Sequence, residues 1–405
     1  MDEIHRYLKS LGIPLAQPAP QSNLPRISQP ATLPNSRMIN HPFGSVCVIV
    51  ENIPLTDPAR SFEIPVEIIQ WLGLKKPNPR FSVEDFLFID VETSGEYGGA
   101  GVLCFLVGVG RISNRAVQLS QYLLLHPEDE LAQLLELEKI LLSAKGFMTY
   151  NGKSFDLPLL QARFQFHHIP SPLHEGLHID LLQLTRKIWK NHSPNRALRT
   201  MEATVLGIQR AVDDIPGWMI PSIYRDYLLT QDTSFLTPIL YHNKMDVLSL
   251  AYLYLHIADL FSHLIEPTPE NAPTYFRLAN FYQSIGETKR AILAYEACQP
   301  YLLDEDQSLH TLETLGHLYK KEKSYRNAVD QWQKAAQLGS LSAHLELAKY
   351  YERIEKDPTT AETWIRAALN VLDHAKLNHF ERSKWQKELQ YRLERLGRNQ
   401  GSVLK

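Results

Sequence analysis

FLFIDVETS, residues 86–94, is the stretch of sequence that decides the fold. Phe86–Val91 is an apolar, β-favouring run without a helical period, which predicts a buried strand. Asp90 and Glu92 lie two residues apart, and the period of a strand points both carboxylates to one face. An unpaired carboxylate is costly to bury, so each needs a cation, hydrogen-bond donors or a raised pKa. The pair favours a site for hard divalent cations, unless the strand ends near Asp90 and Glu92 is solvated in the turn.

The composition is that of an ordinary globular protein, with 44% hydrophobic and 21% charged residues in a chain of 405. This length allows two or three domains with proper cores. No stretch approaches the roughly 18 apolar residues of a membrane span, and no signal-peptide core is present, so we expect a cytoplasmic protein without a membrane partner. The cysteines Cys47, Cys104 and Cys298 lack disulfide or zinc spacing. A net charge of −3 means that any nucleic-acid site must be a local basic patch.

The N-terminal segment, residues 1–45, is predicted to be disordered, because Pro, Ser, Gln and Asn dominate from residue 13 onward. Residues 1–12 could form a short amphipathic helix, which would be either a docking tag for a partner or a frayed terminus. Residues 46–80 contain a predicted strand, Val46–Val50, and a predicted helix, Val66–Leu72. We interpret residues 46–80 as a lead-in that packs on the following domain.

Residues 81–264 alternate between predicted strands and helices in the order βββαβαβα. This order is that of a ribonuclease-H-like fold, an α/β arrangement in which helices flank a mixed sheet. After Phe86–Val91, the predicted elements are strands Val102–Val109, Val117–Leu125, Gly146–Tyr150 and Leu177–Leu181, and helices Glu128–Ser143 and Leu157–Phe166.

The C-terminal third, residues 265–397, repeats a helical motif and is predicted to be all-α. Small residues stand where paired helices would touch, with aromatic wedges between them, and the spacing resembles that of tetratricopeptide repeats. Such repeats bind partners or brace a neighbouring domain. The three copies are Leu278, Ala279, Tyr282, Ala291 and Tyr295; Leu315, Gly316, Tyr319, Ala328 and Trp332; and Leu347, Ala348, Tyr351, Ala361 and Trp364.

Two further acids complete the candidate site. Asp156 lies between a predicted strand and a predicted helix, where it either caps the helix or faces the crevice at the end of the sheet. Asp246 lies near the start of a predicted helix that runs to Leu264. His242 precedes Asp246 by four residues, so both side chains project from one face of that helix. Taken singly, either residue could equally be an ordinary solvated polar group.

Together the four acids resemble the DEDD superfamily of 3′–5′ exonucleases. The pattern is D-x-E on the first strand, then N-x3-F-D ending at Asp156, then H-x3-D ending at Asp246. Within that superfamily, the segments NGKSFDLPLL (151–160), DIPG (214–217) and HNKMDVLSL (242–250) resemble the YprB family of bacterial ribonuclease-H-like exonucleases. The resemblance covers about residues 80 to 390, including the repeats. It implies that Asp90, Glu92, Asp156 and Asp246 hold two divalent metal ions, Mg²⁺ or Mn²⁺.

The sequence departs from the family pattern just before the last acid. Many relatives have a Tyr four residues before it, and another branch has a His five residues before it. Here His242 stands at the first of these positions and Tyr241 at the second, so either could position the attacking water. We favour His242 as the catalytic base, because an imidazole with a pKa of about 6.5 accepts a proton at neutral pH and a phenol with a pKa of about 10 does not.

Positive charge that could bind a nucleic acid strand is concentrated between Thr185 and Arg210, where the only acid is Glu202. These side chains could follow the phosphates of a single strand, or they could form a solvated helix face. Thr93 and Asn151, which stand beside the acids in sequence, are further candidates for nucleic-acid contact. The basic residues are Arg186, Lys187, Lys190, Arg196, Arg199 and Arg210.

Four aromatic residues could stack on bases or belong to the core, and two polar residues at the end of the last strand are interpreted as structural. The aromatic residues are Tyr97, Trp189, Trp218 and Tyr224, and the polar residues are His178 and Asp180.

These patterns predict a metal-dependent 3′–5′ exonuclease that degrades single-stranded DNA ends, with a role in DNA repair. RNA is an alternative substrate, because DNA and RNA are distinguished by contacts to the 2′-hydroxyl. An alternative of another class is a catalytically idle adaptor that recruits partners through its repeats. The family resemblance also suggests a helicase partner, bound through the repeats or through the N-terminal helix.

Overall fold

The structure is a computed structural model of the 405-residue chain. It describes residues 33–55, 63–72, 81–95, 101–174, 177–189, 195–210, 214–262, 267–302 and 304–403. The predicted helix of residues 1–12, Tyr97 and Lys190 lie outside these ranges. The described residues form two compact units, the first within residues 1–62, 81–183 and 195–255, and the second within 63–80, 184–194 and 256–405.

The first unit is built on a mixed sheet of seven strands in the order β1-β2-β5-β4-β3-β6-β7. The pairs β1–β2, β2–β5, β5–β4 and β4–β3 are antiparallel. The pairs β3–β6 and β6–β7 are parallel, with Phe86 paired to Gly146 and Gly146 to Leu177. The mixed sheet of a ribonuclease-H-like fold is therefore confirmed. The strands are β1 Ser36–His41, β2 Gly44–Pro54, β3 Phe86–Thr93, β4 Cys104–Ser113, β5 Ala116–Leu123, β6 Gly146–Thr149 and β7 Leu177–Asp180.

The first two strands of the chain, β1 and β2, differ from the prediction. Ser36–His41 lies in the segment predicted to be disordered, yet it pairs along its whole length with β2. The strand predicted as Val46–Val50 extends over Gly44–Pro54 and pairs with β5, so it belongs to the sheet itself. The predicted lead-in is divided, because the helix α1 Val66–Trp71 groups with the second unit, where Glu67 pairs with Arg290.

Helices cover both faces of the sheet and bury its apolar side chains. On one face, Leu87 and Ile89 of β3 pack in a cluster with Leu137 and Leu160 from two helices. On the other face, Phe105 stacks on Tyr224 with ring centroids 3.7 Å apart. Burial of this kind is the main source of folding free energy. The helices of the first unit are α2 Glu130–Leu142, α3 Asp156–Phe166, α4 Leu181–Ile188, α5 Leu198–Met201, α6 Ile220–Thr230 and α7 Leu236–Ser262, of which α4 and α7 extend into the second unit.

The second unit is all-helical in the part that the structure describes after residue 255, as predicted. Consecutive helices pair, and the positions singled out as repeats supply the core, which includes Tyr295 and Trp332. Gly316 allows the closest approach, since a Cβ atom there would lie 2.2 Å from Trp332 Nε1. Assignment to the tetratricopeptide class stays a prediction. The helices are α8 Ala272–Ser284, α9 Thr288–Cys298, α10 Glu305–Lys321, α11 Tyr325–Gln337, α12 Leu341–Tyr350, α13 Pro358–His374 and α14 His379–Val403.

In the described residues, no helix is both long and apolar enough to cross a membrane. The three cysteines, all buried, are free thiols.

Candidate active site

Asp90 and Glu92 lie at the carboxyl end of β3, the strand between antiparallel β4 and parallel β6. The four residues before Asp90 are buried, whereas Asp90 and Glu92 keep partial solvent access. Phe88, two residues before Asp90, packs on Tyr254 of α7. The period of the strand therefore turns both carboxylates toward α7. The ladder with β4 shifts register between Glu92 and Thr93, an irregularity of the kind that redirects side chains beside active sites.

Asp156 enters the same region from the neighbouring strand. It is the first residue of α3, which follows β6, and it accepts a hydrogen bond from the backbone N–H of Val91. Asp156 thus belongs to the first helical turn, where a negative charge is favourable, and it is not the cap of a helix that starts at Leu157. The carboxyl ends of parallel β3 and β6 meet at one edge of the sheet, so Asp156 joins Asp90 and Glu92 there.

Asp180, at the end of β7, holds the turn that precedes Asp156. Its Oδ1 accepts from the N–H groups of Asn151 at 2.8 Å and Leu182 at 3.1 Å, and its Oδ2 accepts from Lys153 at 3.3 Å. His178 bonds Thr149 in β6 through Nε2 at 2.9 Å. Both residues act as structural groups, in agreement with the sequence-based interpretation.

Asp246 is supplied by α7, the long helix that crosses the same face of the sheet. It lies ten residues into the helix, and not near the helix start as predicted, because α7 begins at Leu236. Two glycines in β4 permit the approach. A Cβ atom at Gly108 would lie 2.3 Å from Asn243 Oδ1, and one at Gly110 would lie 2.6 Å from Val247 Cγ1. Glycine in the interior of this strand is therefore required by close contact with α7.

The four carboxylates lie close enough to raise one another's pKa. Burial raises the pKa of Asp90 well above its usual range, and the charges of Asp246, Glu92 and Asp156 raise it further. Burial also raises the pKa of Glu92, with added repulsion from Asp246 and Asp156. The pKa of Asp156 rises to about 7, chiefly through burial, against hydrogen bonds from its own N–H and that of Val91. Like charges gathered in a partly buried site are typical of catalytic and cation-binding centres.

Within the described ranges, Asp246 differs from the other three acids in its direct ion pair with an arginine, Arg210. Its Oδ1 accepts a hydrogen bond from Arg210 Nη2, and its Oδ2 lies 3.6 Å from His242 Nε2. Burial raises the pKa of Asp246, while the positive charge of Arg210 and the neighbouring His242 oppose that rise. Arg210 is one of the six basic residues that could have followed the phosphates or formed a solvated helix face, and the structure shows neither arrangement for it. Its side chain is only 3% exposed and binds Glu202, Asp214 and Asp246.

His242 has a fixed orientation beside Asp246. Its Nδ1 donates to Asp214 Oδ1 at 3.0 Å, and the Asp214 side chain is fully buried. A proton held on Nδ1 by this bond leaves Nε2 as the acceptor nitrogen. Nε2 is the atom that faces Asp246.

Two buried residues that the sequence-based prediction missed orient Asp90. Asn243 donates from Nδ2 to Asp90 Oδ2 at 2.8 Å and to the Asp90 carbonyl at 3.2 Å. Gln121 in turn donates from Nε2 to Asn243 Oδ1 at 2.9 Å. Both amides are almost completely buried. The glycine at position 108, which makes room for Asn243, is the sequence signal that could have indicated this contact.

Comparison with protein families matches residues 87–258 to the RNase H superfamily. The chain is also 34% identical over 282 residues to the uncharacterized protein YprB of Bacillus subtilis (strain 168). This match covers 68% of the chain and 67% of the Bacillus protein. The chain belongs to the YprB family of the RNase H superfamily. A nuclease domain of this superfamily supports a function in the hydrolysis of nucleic acids, which makes the YprB-family chain a phosphodiester hydrolase.

Among solved structures, the family B DNA polymerase from the hyperthermophilic archaeon Pyrobaculum calidifontis matches with a TM-score of 0.36 and 13% sequence identity. The match covers 62% of this YprB-family chain and 33% of the polymerase, so the chain spans about one third of the polymerase's length. A similarity of this size carries no argument about the fold or the function.

Ribonuclease-H-like nucleases generally use divalent metal ions, and the carboxylate oxygens of this YprB-family site fit that chemistry. Glu92 Oε1 is buried and has no hydrogen-bond partner among the residues that the structure describes, so this oxygen is free to coordinate a cation. Nowhere in the described ranges are three acidic, histidine or cysteine side chains already arranged to hold a metal ion. Two of the four carboxylates are engaged with the protein, Asp246 with Arg210 and Asp90 with Asn243.

The residues predicted to contact nucleic acid have different surroundings in the structure. Arg199 is exposed, with Nη1 3.9 Å from Asp214 Oδ2, and Arg196 is half-buried. Lys187 is exposed, but it belongs to the second unit. Thr93 donates its hydroxyl to the carbonyl of Gly95 at 2.8 Å. Asn151 has a left-handed φ of 65° and uses its N–H to bind Asp180, so its backbone is committed to the turn.

The aromatic candidates separate into core and surface residues. Tyr224 and Trp189 are buried and stack on Phe105 and His256, so both belong to the core. Trp218 is 70% exposed. It follows Gly217, where a Cβ atom would lie 3.8 Å from His242 Nε2. Trp218 is therefore the described aromatic candidate that lies beside the site and is accessible to a base.

Proposed function

We propose that this chain is a metal-dependent 3′–5′ exonuclease of the DEDD type that shortens single-stranded DNA ends in DNA repair. The observation that carries the proposal is the convergence of four carboxylates, from three segments distant in sequence, at the carboxyl ends of β3 and β6. Four clustered acids would repel a phosphate backbone unless cations are bound among them. This requirement speaks against an idle nucleic-acid-binding adaptor, which has no use for such a cluster.

Asp90, Glu92, Asp156 and Asp246 would hold two ions, Mg²⁺ or Mn²⁺. When bound to these oxygens, the ions would polarise the scissile phosphate and lower the pKa of the attacking water. The protein then has to orient the water and accept its proton. We assign both tasks to His242, and this is supported by Asp214, which binds Nδ1 and leaves Nε2 facing Asp246.

The DNA strand would be bound by groups around the four acids. In the first unit, Arg196 and Arg199 are proposed to contact phosphates, and Thr93 and Asn151 the terminal nucleotide. Trp218 offers an exposed ring on which a base could stack. Lys187 and Lys190 stay proposals from the sequence alone.

The proposal is tested with the full-length protein, Mn²⁺ and single strands that carry a label at the 5′ end. A 3′–5′ exonuclease gives a ladder of shortened labelled products, whereas a 5′–3′ enzyme releases the label as a mononucleotide. Asp90→Ala should abolish the ladder, and Asp226→Ala, which changes an exposed acid on α6, should leave it intact. No ladder from the wild type, or an unchanged ladder from Asp90→Ala, would reject the proposal. A labelled RNA strand in parallel decides between DNA and RNA.

The identity of the proton acceptor is tested by two further variants. His242→Phe should lower the rate about 10²-fold or more, as expected for loss of a general base, and Tyr241→Phe should leave most activity. The opposite result would assign the role to Tyr241.

We further propose that a helicase supplies single-stranded ends, and that the helical repeats or the N-terminal segment bind it. This proposal rests on the family resemblance, and its test is co-purification of such a helicase with the full-length chain.

A further inference from the structure

Arg210 makes contacts that are unusual for a residue beside a candidate metal site. Its guanidinium is buried and donates hydrogen bonds to three carboxylates. Nε donates to Glu202 Oε2 at 2.7 Å, with a second bond from Nη2 to Glu202 Oε1, and Nη1 donates to Asp214 Oδ2 at 3.3 Å. Nη2 also binds Asp246 Oδ1. Glu202 and Asp214 are fully buried, so neither can exchange this cation for water.

The third contact engages an oxygen of Asp246, one of the four acids proposed to hold the metal ions. One of its oxygens binds Arg210 and the other faces His242. In this arrangement, no three candidate ligands among the described residues are ready to hold a metal ion. A metal ion that recruits Asp246 therefore has to compete with an arginine that is already in place.

We infer that Arg210 is an internal counter-cation that holds Asp246 while the metal is absent and releases it when the metal binds. This inference rests on the proposed function and adds a regulation of metal affinity at the same site. The exchange is feasible because Arg210 keeps its paired bonds to Glu202 and its contact with Asp214 after Asp246 has left. Arg210 is therefore a positioning residue that sets how tightly the metal is bound.

A simple supporting role makes the opposite prediction for metal affinity. If Arg210 only held Asp246 in a metal-ready position, weakening Arg210 would weaken metal binding. If Arg210 competes, weakening it strengthens metal binding, and strengthening its hold on Asp246 weakens metal binding. The reason is that the guanidinium and the metal ion compete for the same carboxylate, so a change that weakens the binding of one strengthens the binding of the other.

Two variants change the competition in opposite directions. Arg210→Lys keeps the charge but gives an ammonium that cannot make the paired bonds to three carboxylates, so it should hold Asp246 less well. Glu202→Gln removes the charge that draws Arg210 away from Asp246, so the guanidinium should hold Asp246 more tightly. Glu130→Gln is the matched control, because Glu130 forms a similarly buried pair with Arg163, at 2.6 and 2.5 Å, and is not part of the quartet.

The measurement is isothermal titration of the full-length proteins with Mn²⁺, with thermal unfolding of the metal-free proteins beside it. We expect the Kd for Mn²⁺ to fall about five-fold or more in Arg210→Lys and to rise about five-fold or more in Glu202→Gln. The Kd of Glu130→Gln should equal that of the wild type. Arg210→Lys should also unfold at a lower temperature without metal.

Shifts of the same sign in Arg210→Lys and Glu202→Gln, or no shift in either, would overturn the inference. If Arg210→Lys does not fold, Arg210→Gln, which also cannot make the paired bonds to three carboxylates, takes its place, and an unchanged or higher Kd overturns the inference. If the wild type binds no Mn²⁺, the proposed function itself is refuted. If the wild type binds Mn²⁺ but the variants shift its Kd in the wrong direction, only the inference about Arg210 is refuted.

Discussion

Asp156→Asn should stabilise the metal-free protein while it removes activity. The pKa of the Asp156 carboxyl rises from an ordinary value of 3.8 to about 7, chiefly because the group is buried. A difference of about three pKa units corresponds to about 4 kcal/mol, so ionisation of this group lowers the free energy of unfolding by about that amount. Asparagine is neutral at every pH, and its Oδ1 can still accept the N–H of Val91, so it should regain up to about 4 kcal/mol.

The sign of the pH dependence follows from proton linkage. The folded state binds the Asp156 proton more tightly than the unfolded state does, so the metal-free wild type loses stability as the pH rises from about 4 to about 7. The gain from Asp156→Asn should therefore be about 1–2 kcal/mol at pH 5 and close to its maximum of about 4 kcal/mol at pH 8. The assay is urea unfolding at both values with a chelator present. Added Mn²⁺ should stabilise the wild type more than the variant, because the variant lacks one metal-binding oxygen.

Asp180→Asn is the matched control for this prediction. Asp180 is also buried, but its two oxygens accept from three backbone N–H groups. An amide presents its NH₂ group to some of these donors, so Asp180→Asn should destabilise the protein at pH 8 by about 1–3 kcal/mol. A loss of stability in Asp156→Asn at pH 8, or a gain that is as large at pH 5, would show that Asp156 is not a destabilised carboxylate.

Asn243→Leu should lower the free energy of unfolding by about 2–3 kcal/mol, because the bond to the Asp90 carboxylate is lost, and urea unfolding that matches the wild type would contradict this. Gly316→Ala should lower the free energy of unfolding by about 1–3 kcal/mol, because the added methyl meets the buried ring of Trp332. Gly397→Ala is its control, since nothing lies within 4 Å of that site and alanine should stabilise the helix by about 0.5–1 kcal/mol. Thermal unfolding of both glycine variants checks the pair, and equal shifts would refute the packing at Gly316.

Much of the sheet could be predicted from sequence because its signals are local. The apolar run of Phe86–Ile89 and the two-residue spacing of Asp90 and Glu92 determine a strand and the face that its acids occupy. Ser36–His41 could not be recognised in this way. It is a strand at the edge of the sheet without a fully buried residue, and it is held by backbone bonds to β2 that leave no hydrophobic period.

The partners of the acids were harder to predict, because they depend on which side chains the fold brings together. Arg210 looks like one more basic residue in a basic segment, yet tertiary contacts bury it among three carboxylates. Asn243 carries no signal of its own. Its role is indicated only by Gly108, a glycine inside a strand, which marks a close approach without naming the neighbour.

The central claim is that the four carboxylates form one divalent-cation site, and the most direct measurement is an anomalous difference map from a crystal of the full-length protein soaked in Mn²⁺. We predict manganese peaks within coordination distance of Asp90 and Glu92, with Asp246 turned away from Arg210 toward the ion. A map without peaks at the carboxyl end of β3, at a Mn²⁺ concentration that supports nuclease activity, would contradict the claim.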